Sequence, residues 1–322
     1  MQPLISIITP SYNKEKYITE TINSVLEQTF TEFEMIIVDD LSTDRTIQIV
    51  RSFQEQDKRI KLFINPSNKG ANYSRNFALK EAKGDYIMFL DADDVLLPHC
   101  LKERLKNLDL YPEKNVLIFS MGIFKVQVGD DERKWIADSK TPLKDFLAHN
   151  IPWQTMQPIW EKGFIKRLGG FDENFKRMQD VELHTRALLH RGLEYKIISG
   201  PLDCYYRIDD TRKNFNINDF LTRWVESAVN YCEKFKTLVP LSDLHYLKGT
   251  IYQAYFQVIY HYKMKQISDE QFIVLERRLL SGAFIKELNF AKRALFGLSK
   301  YYNLYFFRIP GFNRFLKWLI IA

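Results

Sequence analysis

The 322-residue chain has only three cysteines, Cys100, Cys204 and Cys232, far apart and without a CxxC pair. This spacing argues against a disulfide framework or a thiolate zinc site and fits a reducing compartment. Its six histidines are scattered, with no HExxH run, so the helical zinc-hydrolase pattern is absent. No glycine-rich turn follows the first strand-like run. Pro10-Ser-Tyr-Asn13 stands there instead, which excludes a nicotinamide dehydrogenase. Nor does the N-terminus carry the Gly-rich, Arg/Lys-bearing loop that a sugar nucleotidyltransferase uses to cradle a triphosphate. No basic-then-apolar leader follows Met1, so a cytoplasmic protein is expected. Internal repeats and low-complexity tracts are lacking as well.

Charge is missing over most of the chain and concentrated at its end. The net charge is +6. From Lys286 onward there are seven basic residues (Lys286, Lys292, Arg293, Lys300, Arg308, Arg314, Lys317) against Glu287, so the tail supplies 7 − 1 = +6 and residues 1–285 balance. No basic stripe marks the body, and nucleic acid is therefore not an expected partner.

What the body does contain is a regular alternation of strand and helix signals. Leu4–Thr9, Phe33–Val38, Ile60–Ile64 and Tyr86–Leu90 read as short buried strands. Between them Lys14–Gln28 carries Ile18, Ile22, Val25 and Leu26 on one side, Thr43–Gln56 is amphipathic, and a third helix runs from the Pro66–Gly70 turn to Ala82. This order predicts an α/β fold, a mainly parallel sheet with helices on both faces. The rhythm changes near Leu143. Asp180–Gly192 then reads as a helix, and beyond Asn216 apolar residues recur at helical spacing. The organisation expected is a catalytic domain over 1–216, a helical appendage over 217–285 and a basic aromatic tail over 286–322.

In such a sheet, ligands bind beyond the carboxyl ends of the strands. The residues there are Thr9-Pro10-Ser-Tyr12-Asn13, Asp39-Asp40, Asn65–Asn68 and Asp91-Ala-Asp93-Asp94. Tyr12 is suited to stack on a base, and Asp40 to accept from a base N–H or a ribose hydroxyl. Three aspartates ending an apolar strand repel one another unless a cation sits among them, and their hard oxygens suit Mg²⁺ or Mn²⁺ together with substrate phosphates. Aspartates also cap helices and fill turns, and one of the three can do so before Pro98. Gly70 precedes a helix start, where free N–H groups favour anions, and Arg75 on its first turns is placed to clamp a pyrophosphate or simply to face solvent. In Gln179-Asp180-Val-Glu182-Leu-His184-Thr-Arg186, Asp180 shares a helix face with His184, and Glu182 with Arg186. A carboxylate here can take a proton from an acceptor hydroxyl or serve only as first-turn capping. Trp153, Gln154, Trp160 and Met178 are candidates to line an acceptor side, with core packing the alternative for the tryptophans.

Taken in this order, these segments resemble the family 2 glycosyltransferases of the GT-A fold, of the type that builds bacterial surface polysaccharides. The matching stretches are Thr9–Asn13, Val38–Thr46, Asn68–Asn76, Phe89–Asp94, Gly169-Gly-Phe-Asp172 and Gln179–Glu182. The resemblance implies an inverting transfer of sugar from a nucleotide diphosphate donor to a saccharide or lipid-linked acceptor. Pro10, Tyr12, Asp40, Arg75, Asp91 and Asp93 would bind the donor, with Asp40 on the base and Arg75 on the pyrophosphate. Asp91 and Asp93 would hold the ribose and a divalent ion, Mn²⁺ or Mg²⁺, and Asp180 would be the base. Two departures stand out. Gln179 replaces the usual glutamate, and the histidine that often follows a Tyr-Arg pair is missing after Tyr206-Arg207, leaving Asp209 as a substitute ligand. The alternative from another class is an inactive carbohydrate- or nucleotide-sugar-binding protein on the same fold.

The tail sets ten aromatics among its basic residues. Arg308, Arg314 and Lys317 interrupt every apolar stretch before it reaches the ~20 residues of a spanning helix, and Pro310-Gly311 breaks a continuous helix. This pattern suits the interface of an anionic membrane, which predicts a peripheral protein on the inner face. A helical pair folded onto the body, or a second subunit, would also use the aromatics.

Overall fold

The computed structural model describes residues 5–208, 216–281, 290–305, 309 and 311–322. These form two compact units, one of Met1–Ser139, Pro152–Glu173 and His190–Thr211, the other of Lys140–Ile151, Asn174–Leu189 and Arg212–Ala322.

The first unit is built on β1 (Ile5–Ser11), β2 (Phe33–Asp39), β3 (Ile60–Ile64), β4 (Tyr86–Phe89), β6 (Val116–Ile118), β9 (Pro158–Glu161) and β10 (Tyr195–Ile197), in the order β10-β6-β9-β4-β1-β2-β3. All pairings are parallel except those of β9, which runs antiparallel to both β4 and β6. The sheet is therefore mainly parallel, as its strand–helix alternation requires. One face gathers Ile5, Ile7, Met35, Ile37 and Met88 at period-two spacing against α1 (Ile18–Leu26), α2 (Thr46–Gln56) and α4 (Cys100–Leu110). Alternate residues Ile8, Ile36, Val38, Ile87 and Phe89 are equally buried, and α3 (Ala71–Glu81) packs on β1 and β2. Helix α1 starts at Ile18, later than its sequence pattern suggests, because Lys14–Tyr17 closes a turn of its own, with Tyr17 N–H donating to Lys14 O at 2.9 Å. A second, four-stranded sheet has the order β5 (Val95–Leu96), β11 (Cys204–Arg207), β7 (Met121–Phe124) and β8 (Lys134–Trp135).

Trp153 and Trp160 are buried. Trp160 lies within β9 and stacks on Phe164 of α6 (Lys162–Arg167) with centroids 6.3 Å apart. Their burial favours the core-packing alternative for both, and Met178 is buried as well. Gln154 donates its backbone N–H to Gln157 Oε1.

The second unit is helical. Helix α5 (Pro142–Leu147) packs with α7 (Gln179–Leu189), and α8 (Ile217–Phe235), α9 (Lys248–Lys263) and α10 (Asp269–Leu280) pack on one another. The helices Phe290–Tyr305 and Phe312–Ile321 both dock on α9, burying Phe296, Tyr302, Leu316 and Ile320. Gly311, left-handed at φ 82°, opens the last of these. Phe290, Tyr301, Tyr305, Phe315 and Trp318 stay exposed, Trp318 at 60%. The tail thus folds back and still presents aromatic surface. Among the described residues no helix is long and apolar enough to cross a membrane. Asp209, Lys286, Glu287, Arg308 and Pro310, singled out above, lie outside the described residues.

Candidate active site

Parallel register places the site. Ser11 pairs with Asp39 and Asp39 with Ile64, while Ile8 pairs with Phe89, so the segments after β1, β2, β3 and β4 leave from one edge of the sheet. Pro10 lies within β1 opposite Val38, and Tyr12, just beyond it, is exposed. Asp40 is buried and already engaged. Its Oδ1 accepts from Asn65 Nδ2 at 2.7 Å and from Lys69 N–H at 2.8 Å, and its Oδ2 from Gly70 N–H at 2.7 Å. The amides of Lys69 and Gly70, just before α3 begins at Ala71, thus hold the carboxylate of Asp40. Beside it, Asp39 accepts from the amide and hydroxyl of Ser42, both at 2.7 Å; burial pushes its carboxyl above the usual range.

The aspartate loop spans from the end of β4 to β5, and each of its acids has a positive or N–H partner. Asp91, 40% exposed, accepts from Arg75 Nη2 at 2.6 Å. Arg75 is buried; it approaches Asn72 Oδ1 at 3.4 Å, lies over Phe171 at 5.0 Å, and its Nε has no hydrogen-bond partner among the described residues. Lys14 donates to Asp93 Oδ2. Burial draws the Lys14 ammonium down, but Asp93, Asp91 and Asp94 outweigh it and raise it above the ordinary lysine value. Asp94, fully buried, accepts from Arg207 N–H at 2.8 Å. Burial first, then the charges of Asp93 and Asp91, pushes its carboxyl well up. Arg207 braces the loop from β11. Its Nε donates to Asp93 O at 2.8 Å, Nη1 to the carbonyls of Lys125 and Val126, and Nη2 to Glu20, while its plane lies 4.1 Å from the Phe124 ring centroid. The sequence reading passed over Lys14 and Arg207. Their signals were slight: a lysine directly after the Tyr12-Asn13 pair, and an arginine in a run otherwise reading as strand.

Helix α3 also secures Gly169-Gly-Phe-Asp172. Asn76 donates to Phe171 O and accepts from Phe171 N–H, both at 2.8 Å, and Asn72 donates to Asp172 O at 2.8 Å. Gly170 has φ +69°, and a Cβ there would stand 2.4 Å from Asn76 Oδ1. The glycine is required both by backbone angle and by this clasp.

In the second unit, Asp180 stands in the first turn of α7, partly exposed, with Oδ1 accepting from Val181 N–H at 2.9 Å. Glu182, two residues on, is fully buried. It takes both Nε and Nη2 of Arg186, at 2.8 and 2.7 Å, and Lys234 Nζ at 2.7 Å. With its oxygens held by two cations, Glu182 is a packing element, which leaves Asp180 as the accessible acid of this pair.

Among the described residues no three His, Cys, Asp or Glu side chains are placed to hold a metal. That does not exclude the ion expected here, because Mg²⁺ commonly rests on one or two carboxylates and takes its remaining ligands from water and substrate phosphates. The donor set fits: Asp91 and Asp93 are hard oxygen donors, and Asp91 is substantially open to solvent.

A family model described as glycosyl transferase family 2 matches residues 6–167. The chain is 47% identical over 167 residues to an uncharacterized glycosyltransferase of Haemophilus influenzae, covering 52% of this chain and 65% of that protein. It is 42% identical over 249 residues to the Escherichia coli UDP-Glc:alpha-D-GlcNAc-diphosphoundecaprenol beta-1,3-glucosyltransferase WfgD, covering 77% of this chain and 92% of that one. The solved structure of residues 1–349 of S. aureus TarS in complex with UDP-GlcNAc has a TM-score of 0.68 and 23% identity, covering 93% of this chain and 88% of that one. At that identity the likeness is one of fold. The chain spans just under two thirds of the H. influenzae relative.

Proposed function

We propose, from the premise that this chain belongs to glycosyl transferase family 2, that it transfers a sugar from a nucleotide diphosphate donor to an acceptor hydroxyl with inversion, in the synthesis of a cell-surface polysaccharide. The observation that carries this reading is the meeting of four strand-end segments at one sheet edge, where Asp40, Arg75, Asp91 and Asp93 are built in with ordered partners. A protein that binds carbohydrate without a nucleotide has no need of that constellation.

In this reading Tyr12 and the Asp40 loop hold the nucleoside, and Arg75 meets the pyrophosphate. Asp91 and Asp93 would hold a divalent ion, which when bound neutralises charge on the departing nucleotide diphosphate. Asp180 takes the proton of the acceptor hydroxyl as that oxygen attacks the anomeric carbon. WfgD's name supports a uridine diphosphate donor and a lipid-linked acceptor. The exposed Tyr301, Tyr305, Phe315 and Trp318, with Arg293 and Arg314 in the same helices, support work at an anionic membrane surface.

The test is a donor panel read by released nucleotide diphosphate, run beside calorimetric titration with UDP and GDP in Mn²⁺. Release with one donor, dependent on an acceptor, supports transfer. A protein that binds saccharide and ignores every nucleotide belongs to the inactive class instead.

A further inference from the structure

The aspartate loop has two cationic partners of very different character. Arg75 is a built-in one: its side chain is 5% exposed, faces Asn72, and lies over a ring. Lys14 is the opposite. Its side chain is 31% exposed, and it meets Asp93, itself 12% exposed, through one ammonium at the end of a flexible stem.

The root of that stem is nevertheless fixed. Lys14 N–H donates to Thr46 Oγ1 at 2.7 Å. Its neighbour Asn13, left-handed at φ 51°, donates its N–H to Ser42 Oγ and accepts Thr43 N–H on Oδ1, both at 2.8 Å. A fixed root and a flexible, partly exposed stem suit a group that must hold one anion and then leave it.

We propose that Lys14 is an exchangeable counter-ion, which holds Asp93 in the donor-free protein and is displaced from it when a divalent cation binds, so that this lysine sets the cation affinity of the site. The inference rests on the reading of Asp91 and Asp93 as the cation site. Before a ligand arrives, the ammonium supplies the positive charge that three clustered carboxylates require. A divalent ion on the same carboxylate repels it, and the cation must bind against that repulsion. A diphosphate arriving with the cation gives the ammonium a new anionic partner and removes the penalty. Cation and nucleotide are thereby coupled, each strengthening the other by the same factor.

The experiment titrates Mn²⁺, followed by electron paramagnetic resonance of the free ion, alone and with UDP or GDP, on full-length wild type, Lys14→Met, Lys14→Arg and Asp93→Asn. Lys14→Met should bind Mn²⁺ alone about tenfold more tightly than wild type, and its gain from nucleotide should shrink. Lys14→Arg, which keeps the charge, should follow wild type. Equal or weaker Mn²⁺ affinity in Lys14→Met overturns the inference, as does an arginine variant that behaves like methionine. If Asp93→Asn binds as wild type does, or no protein binds Mn²⁺ even with nucleotide, the cation site itself is wrong and the lysine's role falls with it.

Discussion

The backbone N–H of Gly70 donates to Asp40 Oδ2 at 2.7 Å, across 30 residues of chain. Through this contact and its companions from Lys69 and Asn65, one carboxylate fixes the end of β2 to the start of the helix that carries Arg75. Asp40→Asn keeps the shape but replaces one acceptor oxygen by a donor, so at least one buried N–H loses its partner. Stability should fall by about 1–3 kcal/mol, and nucleotide binding should weaken with it. Chemical denaturation and calorimetry on the same variant measure the two.

Asp180 and Glu182 should fail differently. Asp180→Asn leaves α7 intact and removes the proposed base, so turnover should drop by roughly 10²–10⁴-fold with little change in stability or donor affinity. Glu182→Gln removes the buried negative charge shared by the part-buried Arg186 and Lys234 and should cost about 1–3 kcal/mol. Normal turnover in a folded Asp180→Asn protein would show that another group serves as base.

Asp93→Ala should abolish transfer and cation-dependent donor binding while the fold persists, because Asp93 lies beyond a strand end and not within the apolar core. Circular dichroism should be unchanged. Full activity in chelator, or in the variant, would remove the cation from the mechanism.

Two histidines, His184 buried and His149 part-buried, give the second unit a predictable acid sensitivity. Burial lowers His149 and His184 from 6.5 to about 3. Between pH 6.5 and 3 the unfolded chain binds more protons at these positions than the folded one, so their contribution to stability is present above pH 6.5 and is lost as pH falls through that window. Unfolding midpoints should decline below pH 6.5. His184→Phe, whose ring can pack on Phe146, 5.3 Å from the present imidazole, should flatten the decline. An unchanged slope would show that other groups dominate.

Membrane binding is best tested without deleting the tail, since its helices cover α9 through Phe296, Leu316 and Ile320. Phe315→Ser with Trp318→Ser removes exposed rings and spares that packing. Wild type should float with anionic liposomes and the double variant should remain at the bottom of the gradient. Wild type that does not float leaves these rings for another partner.

How far the sequence could be read followed from the physics of each element. The strands β1, β2 and β4 were readable because burial on both faces demands largely apolar runs, and the half-buried edge strand β3 because it keeps its place in the strand–helix alternation. By contrast, β9 is four residues long, contains Pro158 and ends on Glu161. No periodicity distinguishes such a segment, and only its place between β4 and β6 makes it a strand. Asp40, Asp91 and Asp93 stood out because charge beyond an apolar strand is costly. Lys14 and Arg207 did not, because a lone basic residue looks the same whether it faces water or a carboxylate distant in sequence. The tryptophans stayed ambiguous for a related reason, since ring chemistry is common to sugar stacking and core packing.

The second unit takes in Lys140–Ile151 and Asn174–Leu189, and so interrupts the first along the chain. The two units are thus encoded in alternating segments, and no single crossover between two relatives exchanges one unit whole. A recombinant joined near residue 217 would carry α7 from the donor-side parent and α8 from the other. It would separate Glu182 from the Lys234 with which it is paired. Shuffled libraries of such proteins should therefore yield soluble members mainly where α7 and α8 descend from the same parent.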